Sequence, residues 1–222
     1  MIPEPLLILE LALLGICTGF LAGLLGIGGG MLMVPFLTFI LSSKGFPADY
    51  TVKMAVATSL ATICFTSLSS VRAHHQRGAV LWPVARLLAP GILAGSALGA
   101  QIAVALPGKV LGVLFALFVG FSATQMFLDR KPKPTRTLPK GLGMFSMGGL
   151  IGMLSALVGA GGAFISVPFM TWCNVKIHNA VGTSSALGFP IALAGTLGYI
   201  WAGVGMPQMP RSEEHTSELQ SQ

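Results

Sequence analysis

Acidic residues are scarce in this sequence. Seven of its 222 residues are Asp or Glu, and Glu213, Glu214 and Glu218 crowd into the last ten. Only Glu4, Glu10, Asp49 and Asp129 remain for the rest of the chain. No two of them are neighbours, so the paired carboxylates that move protons in hydrolases are missing. Charge of either sign is also low, at 9% of residues, where a soluble domain carries about 25%. The mean hydropathy is +0.79, and a soluble globular fold is excluded. Three cysteines, Cys17, Cys64 and Cys173, form no CxxC pair and sit in apolar surroundings. This removes a zinc site and a disulfide framework and leaves them as small buried hydrophobes. No G-x-G-x-x-G, G-K-[ST] or G-x-S-x-G is present; Gly95-Ser96-Ala97-Leu98-Gly99 has the wrong spacing for the last. Dinucleotide binding and serine hydrolysis are therefore not indicated. No catalytic residue, metal site or cofactor is expected, and the chain is not read as an enzyme.

The net charge of +6 could mark a nucleic-acid surface, but the basic residues lie in short loops between apolar runs and not along one face. They fit the flanks of membrane helices, so the expected partner is the lipid bilayer and not nucleic acid. Between their end residues, Leu11–Ser43, Met54–Val71, Leu87–Pro107, Val110–Leu128 and Gly141–Lys176 hold no ionisable group but cysteine. Such runs need lipid around them. His74 and His75 are adjacent in a basic loop without a nearby acid or thiol, which reads as solvated rather than metal-binding.

One stretch occurs twice. Gly26–Phe36 reads GIGGGMLMVPF and Gly159–Phe169 reads GAGGAFISVPF, sharing G-x-G-G-x-x-x-x-V-P-F. A second pair follows, Ala55-Val56-Ala57-Thr58-Ser59 against Ala180-Val181-Gly182-Thr183-Ser184. Two motifs in the same order predict an internal duplication: residues 1–128 as a first transmembrane repeat, 129–140 (DRKPKPTRTLPK) as a basic cytoplasmic linker, and 141–210 as a second, incomplete repeat. Residues 211–222 are abruptly polar and read as a translated sequencing adapter, hence a non-native tail. MIPEPLLILE offers neither a basic start nor a cleavage site, so the first run is expected to remain as a helix.

The predicted crossings are Leu6–Leu25, Met54–Val71, Leu87–Leu106, Val110–Leu128, Gly141–Val158 and Ala180–Ala202. Met31–Leu41 and Ala163–Cys173 are too short to span alone and are read as short or re-entrant. Gly91, Gly95 and Gly99 place small residues on one helix face for close packing. The fold class is all-α: a polytopic transmembrane bundle with glycine-broken helices. If the short segments count, five crossings precede the linker. The repeats are then inverted, and the two glycine breaks enter from opposite faces.

Glycine followed by proline interrupts a helix by adding backbone freedom and removing a donor. The freed amides can hold an anion at a helix N-terminus; glycine can equally serve close packing alone. The candidate substrate-binding residues are Gly26, Gly28, Gly29, Thr58 and Ser59 in the first copy, with Gly159, Gly161, Gly162, Thr183 and Ser184 in the second. Lys53 and His178 border the same helices and could attract an anion at a pore mouth, or anchor at the interface.

Together with Gly182–Gly203, GTSSALGFPIALAGTLGYIWAG, these motifs make residues 6–210 resemble the sulfite exporter TauE/SafE family of bacterial membrane permeases. The resemblance implies a multi-pass inner-membrane exporter of small sulfur-containing or organic anions such as sulfite or sulfoacetate. It also implies a secondary mechanism, with a proton or sodium as coupling ion. Members of that family continue for about two more apolar segments, so the resemblance also implies a C-terminally truncated copy. The alternative of a different class is a non-transporting membrane subunit or scaffold.

Overall fold

The computed structural model describes residues 9, 12–20, 30–127, 138–139 and 141–204. The linker apart from residues 138–139, the terminal tail, and Gly26, Gly28 and Gly29 lie outside them. The described chain is helical throughout. In order, it forms α1 (residues 12–20), α2 (Gly30–Ser43), α3 (Ala48–Gln76), α4 (Trp82–Ala105), α5 (Gly108–Phe127), α6 (Leu142–Val158), α7 (Ala163–Trp172) and α8 (Ile177–Val204). Four of these, α3, α4, α5 and α8, are long and apolar enough to cross a membrane, so the chain is a multi-pass membrane protein.

α3 and α8 extend past the expected crossings at both ends, and α4 and α5 begin before theirs. The polar loop over Ser42–Lys53 shrinks because α3 starts at Ala48, and His74 and His75 fall in its last turn rather than in a loop. Short polar links suffice between membrane helices, since a helix satisfies its own backbone within lipid where a loop cannot. Prolines do not end helices here: Pro35, Pro90, Pro168 and Pro190 all lie inside them. The break after α6 is made by glycine alone, with Gly159 at φ +70° and Gly162 at φ +77°. That left-handed region is open to glycine and costly for a residue with a Cβ.

Contacts fix the directions. Cys64 meets Thr196, while the 79–81 link meets Asn179 and Thr183, so α3 and α8 run antiparallel. Leu81 sits by Thr183 and Gln101 bonds to the Gly198 carbonyl, so α4 runs parallel to α8. Gly91 lies on Phe145, Gly95 on Gly149 and Gly99 on Met153, so α4 also runs parallel to α6. Because α6 and α8 share a direction, the chain between them must turn back. The glycines at 159–162 are therefore the tip of a helical hairpin, and α7 returns along α8, with Ser166 bonded to Ser184. In the first half α2 returns along α3, its start Gly30 beside Ser59 and Ile63. Since α3 and α8 are antiparallel, α2 and α7 come in from opposite ends of the bundle.

The α4–α6 contact forms the tightest seam. A Cβ on Gly91, Gly95 or Gly99 would strike the α6 backbone, and one on Gly148 or Gly152 would strike the carbonyls of Leu88 or Ile92. Two small-residue faces thus bring backbone against backbone, as the glycine spacing leads one to expect. Buried apolar side chains, among them Leu60, Leu88, Ile92, Ile151, Leu187 and Ile191, fill the centre.

Candidate functional site

The start of α2 and the glycine break after α6 meet in the middle of the bundle. Ser59, fully buried on α3, places its Oγ 3.1 Å from the Gly30 carbonyl and 2.9 Å from the Gly159 carbonyl. Gly30 needs to be glycine, because a Cβ there would lie 2.5 Å from the Gly159 oxygen and 3.0 Å from Ser59 Oγ. Ser59 hence joins the start of α2 to the tip of the α6–α7 hairpin. Replacing it by alanine removes the donor from two carbonyls at once. We expect Ser59→Ala to cost about 1–3 kcal/mol, seen as a lower unfolding midpoint in detergent.

The tip itself carries hydroxyls. Gly162 is the N-cap of α7 and has no side chain, so no side-chain cap closes that helix start. Ser155, 1% exposed near the end of α6, has an Oγ with no hydrogen-bond partner among the described residues. It lies 3.2 Å from where a Cβ of Gly162 would be. On the other side Ser166 Oγ donates to the Gly162 carbonyl at 2.9 Å and sits 2.7 Å from Ser184 Oγ. With the Ser166 proton committed to that carbonyl, Ser184 is the donor of the hydroxyl pair. The Tyr199 hydroxyl, from α8, donates to the Ala156 carbonyl at 3.2 Å and closes part of the α6 end.

The expected site residues therefore separate. Gly159, Gly161, Gly162, Ser59 and Ser184 converge at the tip. Thr183 is buried but engaged, accepting the Leu81 amide at 2.9 Å where the chain enters α4. Thr58, its duplicate, is exposed into a cavity of about 530 Å3 between α3, α8 and the end of α4, together with Lys53 and Tyr199. Lys53 donates to the Val104 carbonyl at 2.7 Å, completing the C-terminal end of α4. His178 is exposed at the start of α8, the opposite end of the bundle from Lys53, so the two do not share a mouth. Ser155 and Ser166 were not among the expected residues. In the first copy Ala22 and Met33 stand at their positions, so a search for what the copies share passes over them.

Comparison with known proteins agrees with this architecture. A "Probable membrane transporter protein" of Haemophilus influenzae is 37% identical over 91% of this chain and 77% of its own length. The "Probable membrane transporter protein YdhB" of Bacillus subtilis is 30% identical over 89% and 79%. A third such protein, from Methanocaldococcus jannaschii, is 30% identical over 90% and 75%. No solved structure matches the chain. The sulfite exporter TauE/SafE family matches residues 11–209, nearly the whole apolar part, and the chain belongs to that family.

Proposed function

We propose that the protein is a secondary exporter of small anions, such as sulfite, sulfoacetate or related organosulfur anions, in a bacterial inner membrane. The observation that carries this reading is the hairpin tip. The start of α7 points its positive dipole end and first amides into the bundle with no side-chain cap, and the unpartnered Ser155 hydroxyl lies against it. Amides and a hydroxyl are donors, and donors at a helix start in a medium of low dielectric favour an anion. Among the described residues the only acid is Asp49, in the first turn of α3 and away from the tip.

The halves act as inverted repeats. The duplicated helices α3 and α8 run antiparallel, and α2 and α7 approach from opposite ends, which supports alternating access about the midplane. Orientation follows from the basic residues. Arg72, Arg77, Arg86 and Lys176 sit at the end holding the α3–α4 and α7–α8 links, where α5 ends and α6 begins on either side of the basic 129–140 sequence. Lys44, Lys53 and Lys109 sit at the other end. The first end is cytoplasmic by this excess. A proton or sodium ion supplies the driving gradient.

Ser155→Ala tests the site. Removing a buried hydroxyl that has no protein partner relieves a desolvation cost, so a purely structural Ser155 predicts equal or higher stability and unchanged transport. We expect unchanged or higher thermal stability and sulfite efflux from proteoliposomes at least tenfold slower, about 1.4 kcal/mol in the barrier. Unaltered efflux would remove the tip as the binding site. Absence of any solute flux from the parent chain would instead favour a scaffold role.

A further inference from the structure

The link between α3 and α4 is held from two sides. α3 ends in a glycine turn: Gly78, at φ +65°, donates its amide to the His75 carbonyl at 2.9 Å, and Ala79 donates to the His74 carbonyl at 3.0 Å. This pairing satisfies the last carbonyls of a helix and favours glycine at the turn. On one side the link is tied to α8. Asn179 Nδ2 donates to the Ala79 carbonyl at 3.2 Å, and Thr183 Oγ1 accepts the Leu81 amide at 2.9 Å. On the other side a bridge joins the two helices that the link connects. The indole N–H of Trp82, the first residue of α4, donates to Nδ1 of His75 in the last turn of α3 at 3.2 Å. The rings meet edge-on, 74° apart in plane and 5.6 Å between centroids.

This bridge exists in one protonation state. An Nδ1 that accepts a hydrogen bond carries no proton, so His75 is the neutral ring with its proton on Nε2. A protonated imidazole donates from both nitrogens, and Nδ1–H would then point at the indole N–H. No described residue offsets the added charge. Arg72, His74 and Arg77 flank His75 on α3, Arg86 lies one turn into α4, and Lys176 and His178 stand where α8 begins. Asp49, the only acid among the described residues, is at the opposite end of α3. Protonation therefore removes the bond and sets a cation among cations. The adjacent His74 cannot substitute. Its Nδ1 is buried with no hydrogen-bond partner among the described residues, and neighbours in a helix do not share a face.

We infer that His75 and Trp82 form an acid-released clasp across the α3–α4 link. With His75 neutral the clasp is shut, and the start of α4 is tied to α3 as well as to α8. As the pH falls and His75 takes up a proton, the clasp opens and only the α8 side of the link stays held. The device goes beyond the transport reading, because it depends on neither a substrate nor the hairpin tip.

The test uses the full chain in lipid nanodiscs, with Trp172→Phe and Trp201→Phe so that Trp82 is its one tryptophan. Acrylamide quenching of the Trp82 emission is followed from about pH 8 to about pH 5, the range in which a histidine acts as a switch. The quenching constant should rise roughly twofold or more on acidification, as the indole N–H loses its partner and turns to solvent. His75→Asn supplies an acceptor oxygen near the place of Nδ1 that does not titrate, so its constant should stay low at every pH. His75→Ala should stay high at every pH, and His74→Asn should keep the step. Matching size-exclusion profiles show that folding is retained. In the parent chain the indole N–H resonance of Trp82 should shift with the same midpoint, a reading that needs no tryptophan variant. The inference is overturned if the quenching constant and that resonance are flat with pH, or if the step survives in His75→Asn.

Discussion

Leucine at Gly95 should abolish recovery of folded protein. A Cβ at that position would lie 2.7 Å from the Cα and carbonyl carbon of Gly149 and nearer still to its oxygen. The obstacle is backbone, which cannot swing aside as a side-chain end does. Relief requires α4 and α6 to part along the whole seam, losing the close contacts at Gly91, Gly99, Gly148 and Gly152 together. Overpacking a core typically costs 1–3 kcal/mol; here the helices themselves must separate, and we expect at least ~3 kcal/mol. In membranes such a seam rests on dispersion and close approach, because lipid is as apolar as the side chains and supplies no hydrophobic drive. Monodisperse protein by size exclusion should fall below a tenth of the parent yield for Gly95→Leu. Gly120→Leu, whose Cβ would meet no described residue within 4 Å, should give parental yield. Equal recovery of both would show that the seam is not what holds the bundle together.

The second large effect separates two adjacent glycines that the motif treats alike. Gly162→Ala should abolish anion efflux, whereas Gly161→Ala should change it less than twofold. Gly162 is at φ +77°, where an alanine costs about 1–3 kcal/mol. Its methyl would also press on the Ile191 Cδ1 and stand 3.2 Å from Ser155 Oγ, in the space in front of the first α7 amides. Gly161 has no such dihedral, and its Cβ would meet only Ile63 Cγ2 at 3.7 Å, ordinary contact. Efflux of radiolabelled sulfite from proteoliposomes, read beside an unfolding midpoint, distinguishes a blocked site from a merely weakened fold. Equal loss in both variants would point to glycine serving flexibility along the whole tip rather than space at one residue.

The membrane character and the small-residue face of α4 were legible because each is a property of the sequence taken in order: composition and a four-residue period. The reversal of the chain at Gly159–Gly162 was legible only as one option, because periodicity locates a helix and says nothing of its direction. Direction came from pairs far apart in sequence, such as Leu81 with Thr183 and Gln101 with Gly198. The paired Thr-Ser motifs misled in a specific way. Identical residues do different work in the two halves, Thr183 holding the entry to α4 while Thr58 faces an open cavity, and no spacing rule reveals which neighbour has arrived. Ser155 and Ser166 were missed for the opposite reason. They break the repeat, standing where the first copy has Ala22 and Met33, and that difference between two otherwise matching motifs is itself the signal that could have found them.

The hydroxyl of Ser59 has one hydrogen and two carbonyls within reach, Gly159 at 2.9 Å and Gly30 at 3.1 Å. It can satisfy them only by sharing or by turns, as a hydroxyl rotor does. Were either carbonyl to move away, the proton would stay with the one that remains, leaving a single acceptor without its donor. The joint at the centre of the molecule therefore turns on one proton shared between two acceptors. The glycine seam beside it depends on no such proton, only on the close approach of two backbones.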